Sequence, residues 1–421
     1  MLDQVTNNRP KLDEILERTK VIESKQKCKP KNVQQEEEKN TSVDTTTTTT
    51  MERTSTKKKI KIIEDNDVTT NITFDIPEIK CLELRKLVED PNPLDITTVD
   101  LRKKFIGDEG VMLLSKKNSW INLTRLILQD NNICVKGATA ISRNNSWVNL
   151  TKLDLWSNFI GSEGASMLAN NISWKNLAIL ILSDNNIGDD GAAALSSNNS
   201  WVSLKELYLG SNNISDKGAS ALSSNKSWPN LTILNLSINE ISTEGITAIC
   251  NNKTWENLSE LDVGSNNIGD DGVAVLCKKE SWTKLAKLNL GSNHIGKKGA
   301  VALSSTNSWR YLSELNLSNN TIGDKGVVAL SSNKSWTSLK ELNLHGNKIG
   351  AEGIAALSNT KSWTKLETLW LGSNNIGDNE AAVLSKNVSW KNLKALSLGN
   401  NDLSDLGRAA LKLRWPTIEL R

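Results

Sequence analysis

From residue 120 onward the apolar positions recur on a fixed period. Trp stands at 120, 147, 174, 201, 228, 255, 282, 309, 336, 363 and 390, always 27 residues apart, with no insertion or deletion. Counting each Trp as position zero, Leu or a substitute fills +3, +6 and +8, and Ile or Leu fills +13. Asn fills +11 in all eleven units, from Asn131 to Asn401, and Gly fills +17 in ten, Glu380 being the exception. A helix-like stretch such as GAAALSSN (191–198) follows. A fixed period of this length is the mark of a stacked repeat array.

The alternation around +6 and +8 predicts a short strand. Positions +6 and +8 point to one face and +5, +7 and +9 to the other. The Leu-bearing face is buried against a layer of helices. Parallel strands stack at about 4.8 Å, whereas packed helices need about 8–10 Å. One layer is therefore longer than the other, and the stack bends with the strands inside and the +5, +7 and +9 side chains on the inner surface.

Other recurring residues have structural explanations. Asn at +11 follows the strand, and its carboxamide has the donors and acceptor to satisfy backbone groups of adjacent coils. The Trp series predicts a packed ladder at the return from helix to strand. Glu163, Asp190, Asp216 and Glu352 fall near helix starts, where the helix dipole favours them. Acid pairs such as Asp270-Asp271 recur there as well, as expected of helix capping. Cys250 and Cys277 occupy the same helix position in adjacent units, a spacing beyond the reach of a disulfide.

The pattern LxxLxLxxNxI, as in Leu204, Leu207, Leu209, Asn212 and Ile214, resembles a leucine-rich repeat. The IGxxGAxAL that follows resembles the ribonuclease-inhibitor-like subclass, in which each unit has one strand and one full helix. The resemblance covers about residues 93–415. It implies an α/β leucine-rich-repeat solenoid, a horseshoe with parallel strands on the concave face and helices on the convex face. A degenerate first unit starts near Pro93; it keeps Ile96, Val99, Leu101, Ile106 and Gly110 but lacks the Trp, and Lys104 replaces the Asn. A partial last unit ends in RWPTIELR. Atypical end units are expected to cap an otherwise exposed core. The predicted organisation is an N-terminal segment (1–80), a cap with the degenerate repeat (81–119), ten regular repeats (120–389), and a last repeat with its cap (390–421).

Composition changes the picture mainly at the N-terminus. Residues 1–80 hold a Thr run (45–50), Glu36–Glu38, Lys57–Lys59 and few large apolar residues, a composition that predicts disorder. Within it, residues 11–25 predict a short amphipathic helix. The basic run at 57–61 reads as solvated linker. Fifty-one Lys and Arg against 48 Asp and Glu leave a formal charge of +3, with no electrostatic footprint for nucleic acid. Five Cys without close pairing suit a reducing compartment. No secretory signal and no apolar run of spanning length are visible. These features predict a monomer in the cytoplasm, or in a host's cytoplasm if the source is an intracellular bacterium, with no membrane contact.

Function is expected where the repeat is broken. On the predicted concave face, Ile127, Trp156, Ile181 and Tyr208 come from four successive strands. Asp130, Asp154 and Asp184 lie around them, and Phe159 is on the adjacent turn. An apolar and aromatic patch with a polar rim is the pattern of a protein-binding hot spot. Trp370 with His345 and Lys348 forms a second candidate. Between them the face reads as bland: mostly Asn at +7, with Glu206, Glu260, Glu314 and Glu341 outnumbering Lys287 at +5. A neutral to acidic surface of this kind argues against nucleic acid and suits a partner with a basic rim. With two His, no Cys/His cluster and no phosphate-loop, nucleophile-elbow or zinc-protease motif, no catalytic site, metal or cofactor is expected. The expected role is a non-enzymatic protein-binding scaffold; members of the resembled subclass act as inhibitors, immune-receptor sensors or bacterial effectors. The alternative is a GTPase-activating protein, because the Ran GTPase activators are built from similar repeats.

Overall fold

The computed structural model describes residues 81–280 and 282–420. The disorder and the helix expected within residues 1–80 lie outside the described residues. Thirteen strands form one parallel sheet in chain order: β1 (Thr98–Asp100), β2 (Arg125–Ile127), β3 (Lys152–Asp154), β4 (Ile179–Ile181), β5 (Glu206–Tyr208), β6 (Ile233–Asn235), β7 (Glu260–Asp262), β8 (Lys287–Asn289), β9 (Glu314–Asn316), β10 (Glu341–Asn343), β11 (Thr368–Trp370), β12 (Ala395–Ser397) and β13 (Glu419–Leu420). From β1 to β12 every residue pairs with the one 27 positions on, as Thr98 with Arg125 and Glu341 with Thr368. The middle residue of each of these strands is buried. Among the described residues thirteen helices alternate with the strands, from Leu82–Val88 to Asp405–Arg414. The sheet stays open, with strands on the concave face and helices on the convex face.

The core is a set of ladders running along the stack. The helices from Gly107–Ser115 to Ala351–Ser358 bury their +17, +18 and +21 residues, as Gly191, Ala192 and Leu195 in Gly188–Ser197. Glycine at +17 is a packing requirement: a Cβ on Gly191 would lie 2.4 Å from Ile187 Cγ2 and 3.1 Å from Ser162 Cα of the preceding unit. The eleven repeat Trp are buried between helix and strand, and Trp336 and Trp363 stack with centroids 6.3 Å apart. Asn158 shows how the +11 ladder works. Its Oδ1 accepts the N–H groups of Asn131 and Ile133, while its Nδ2 donates to the carbonyls of Leu128 and Leu155.

A second ladder at +24 flanks the Trp. Asn144, Asn171, Asn198, Asn225, Asn252, Asn333 and Asn387 are buried. Asn198 donates to the carbonyls of Ala169 and Asn171 and accepts the N–H of Ser200 and Trp201. Where the unit has Lys279, its Nζ donates 2.8 Å to the Asn252 carbonyl, and Arg414 does the same for Asn387.

Helix starts obey a rule that links neighbouring units. Asp108, Asp189, Asp216, Asp270, Asp324 and Asp378, all at +15, do not cap their own helices. Each Oδ1 accepts two N–H groups at the start of the next helix, at 2.6–3.0 Å. In those next units the +14 residue is extended: Cys134, Ser215, Ser242, Gly296, Gly350 and Ser404. Where Val135, Ser162, Thr243 or Lys297 stands at +15 instead, the next +14 residue is a glycine with positive φ: Gly161, Gly188, Gly269 or Gly323. After Ala351 the helix at Gly377 is extended and capped by its own Glu380, which accepts the Gly377 N–H at 2.9 Å. The single break in the +17 glycine series thus replaces a missing aspartate. Capping by Asp270 is real, but it serves the following unit.

The ends are covered as the atypical units suggest. Leu84 of the Leu82–Val88 helix is buried, and Trp415 stacks on Trp390 at 6.4 Å while its indole donates to the Trp390 carbonyl. Cys81, Cys250 and Cys277 are free thiols, as expected for the last two. Burial pushes Cys250 and Cys277 up to about 12. Among the described residues, no helix is long and apolar enough to cross a membrane.

Candidate functional site

The concave face is built from the outward residues of twelve nearly identical strand exits. Its +7 carboxamides and carboxylates have a local task. Asp154, Asn235, Asp262, Asn289, Asn316 and Asn343 each accept, through Oδ1, the N–H two residues on, at 2.9–3.2 Å. These bonds hold the chain as it leaves the sheet. The uniform Asn row is therefore largely structural, and Ile127, Ile181, Tyr208 and Trp370 are positions that forgo such an acceptor.

The first sequence-derived cluster is partly assembled. Asp154, Ile181 and Tyr208 lie in register across β3, β4 and β5. Trp156, just after β3, is 46% exposed, while Ile181 and Tyr208 are half-buried. The Tyr208 hydroxyl donates 3.0 Å to Glu206 Oε2. Burial and the Glu206 charge raise its phenol above the ordinary range. Asp154 is buried, 3.6 Å from the Lys152 ammonium. Asp184 is exposed on the turn and Phe159 half-buried.

Two readings need correction. Ile127 was expected to be exposed, but it is 4% exposed. It lies in register between Asp100 and Asp154, and at a strand spacing of about 4.8 Å its neighbours cover it. Asp130 and Asp184 have φ of 55° and 57°, so their residue type also answers a left-handed turn that Asp tolerates. Ile238 was missed. It occupies the same turn position after β6, with φ 53° and 59% exposure. A β-branched residue there is strained. The available signal was an Ile at +10, where other units carry mostly Ser, Asp or Asn.

The second cluster lies five or more strands away. Trp370 on β11 is half-buried and in register with Asn343. His345 is half-buried, its N–H donating to Asn343, and Lys348 is exposed with φ 59°. Between the clusters the face is less bland than its sequence suggests. A hollow of about 330 Å³ spans β7 to β11, with Glu260, Asp262, Lys287, Glu314, Glu341 and Trp370 among its lining residues. Lys287 pairs with Glu314 at 2.9 Å. Burial raises Glu260; Lys287 opposes the shift, and Glu314, Asp262 and Glu206 add to it. Burial likewise raises Asp262, against the Gly264 N–H and the Asn289 amide. Among the described residues, no three His, Cys, Asp or Glu side chains converge to hold a metal.

Ten segments of 22 residues match the family model described as Leucine Rich repeat. They are 121–142, 148–169, 175–196, 202–223, 229–250, 256–277, 283–304, 310–331, 337–358 and 391–412, just over half the chain. The chain belongs to the leucine-rich repeat family. Within the run of leucine-rich repeats, the unmatched unit is the one carrying Glu380. The array is similar in structure to an internalin of Listeria monocytogenes, with 22% identity over 80% of this chain and 92% of that one and a TM-score of 0.53. It is also similar to a chain of the Rad7–Elc1 complex of yeast, with 17% identity over 78% and 80% of the two chains and a TM-score of 0.51. At these identities the likeness establishes the leucine-rich repeat fold alone. No curated protein matches the chain in sequence.

Proposed function

We propose that this leucine-rich repeat protein is a non-enzymatic scaffold that grips a partner protein on its concave face, in the manner of an inhibitor, sensor or effector. The observation that carries this reading is Trp156, a large aromatic 46% exposed on a face otherwise given to small polar residues. Ile181, Tyr208 and the strained, exposed Ile238 extend the apolar surface, the exposed Asp184 supplies a polar group beside it, and the buried Asp154 holds the Trp156 backbone from beneath. Exposed aromatics in a polar surround are the usual anchors of protein interfaces. We assign the repeat to the ribonuclease-inhibitor-like subclass because one strand and one full helix alternate in a 27-residue register. A structurally similar chain, that of the Rad7–Elc1 complex, is seen with a partner protein.

The test is paired affinity capture with mass spectrometry. Wild type and a Trp156→Ala/Tyr208→Ala variant are compared after matching their thermal stability. A protein retained by wild type and reduced at least tenfold by the variant supports the assignment. Equal recovery by both would remove this patch from consideration.

A further inference from the structure

We propose that the hollow over β7–β11 is a docking groove for an extended, arginine-bearing segment of a partner protein. Its guanidinium groups would lie against Glu260, Asp262 and Glu341, one of them on the Trp370 ring. The proposal rests on the reading that the concave face takes a protein, and it adds the partner's chemistry and a second place of contact.

Charge complementarity argues for this occupant. Four carboxylates, Glu260, Asp262, Glu314 and Glu341, face one cation, Lys287. The wall thus carries a net −3, on a chain whose total is +3. Lys287 is already held by Glu314, which leaves Glu260, Asp262 and Glu341 to be matched from outside. Glu260 and Asp262 are charged at a cost, since burial works against both. A cation entering the hollow relieves that cost.

Dimensions argue for a peptide over a small cation. Five strands at about 4.8 Å span roughly 19 Å, the length of about six extended residues. The carboxylates sit on separate strands and do not converge as metal ligands do. Arginine fits better than lysine because a planar guanidinium can stack on an indole and take a carboxylate at the same time. Glu341 is on the strand adjoining that of Trp370.

The test uses the full chain and two fluorescein-labelled probes, hexa-arginine and hexa-lysine, followed by anisotropy at fixed ionic strength. The expected result is saturable one-to-one binding, tighter for hexa-arginine. Glu260→Gln/Glu341→Gln, which leaves the Lys287–Glu314 pair intact, should weaken binding at least tenfold. Glu163→Gln/Glu352→Gln, on the helices, should leave it unchanged. Trp370→Leu should remove the preference for arginine. Binding should weaken from pH 7.5 to pH 5, because Glu260 and Asp262 take up protons above the ordinary carboxylate range. Glu260 is surrounded by Lys287, Glu314, Asp262 and Glu206. If the double variant misfolds, Glu341→Lys alone serves, because Glu341 is exposed.

No binding at millimolar probe, or equal weakening by the helix variants, overturns the proposal. So does a tenfold gain on Lys57→Glu/Lys58→Glu/Lys59→Glu, which would make this chain's own basic run the occupant. Failure here with intact loss of capture at Trp156 and Tyr208 removes the hollow alone. Binding here with unchanged capture removes the first patch alone.

Discussion

At the scale of single residues, the helix starts show how a side chain 26 positions away sets a backbone conformation. Gly269 and Gly296 occupy the same repeat position, yet Gly269 has φ 65° and Gly296 φ −109°. The difference lies in the preceding unit, Thr243 in one case and Asp270 in the other. Gly269→Ala should therefore lose about 1 kcal/mol, the cost of left-handed backbone for a residue with a Cβ. Gly296→Ala should be neutral or stabilising by up to about 1 kcal/mol, through a less disordered unfolded chain. A Cβ there meets Asp270 Oδ2 at an ordinary 3.4 Å. Urea midpoints of the two variants, measured side by side, check the contrast; equal losses would refute the rule.

At the scale of the repeat element, the ladders separate what the sequence disclosed from what it withheld. The Asn at +11 and the Trp were legible because they recur without exception and face chemistry that leaves little choice. The +24 Asn was less visible because Lys279, Thr306, Thr360 and Arg414 interrupt it. Its role depends on carbonyls of the preceding unit, 27 and 29 residues back along the chain. Asn333→Ala would leave the Ser304 and Thr306 carbonyls and the Ser335 and Trp336 N–H groups without their partner. It should cost about 1–3 kcal/mol or more. Lys279→Asn should instead be neutral or stabilising, since burial already works against the Lys279 charge. Thermal midpoints decide between these signs. The inter-unit caps were hidden for a related reason. An Asp near a helix start looks like that helix's own cap until the neighbouring coil is in place.

At the scale of the whole molecule, periodicity made the α/β solenoid readable, since one 27-residue spacing fixes strand, helix and stacking together. The concave face was readable only in part. Alternation placed Trp156 and Tyr208 outward correctly, but exposure depends on neighbours in the stack, and Ile127 is hidden by its own. The hollow escaped notice because its lining is made of common residues, Glu and Asn, whose effect comes from adjacency across five strands.

The aspartate that reaches forward into the next helix also sets a grammar for editing the array. Whole units can be removed without disturbing the 27-residue spacing, but the new junctions differ in what they bring together. Excising 228–254 sets Asp216 before Gly269, and glycine accepts the extended start that an aspartate demands, as Gly296 does. Excising 174–200 sets Ser162 before Ser215, which then has neither its aspartate nor the freedom to turn left-handed. The two shortened chains have equal length, yet the second should be the less stable by about 1–2 kcal/mol, and matched thermal denaturations would show it. An array that grows or shrinks by duplication would be pruned by the same rule, with glycine marking the places where a cut can heal.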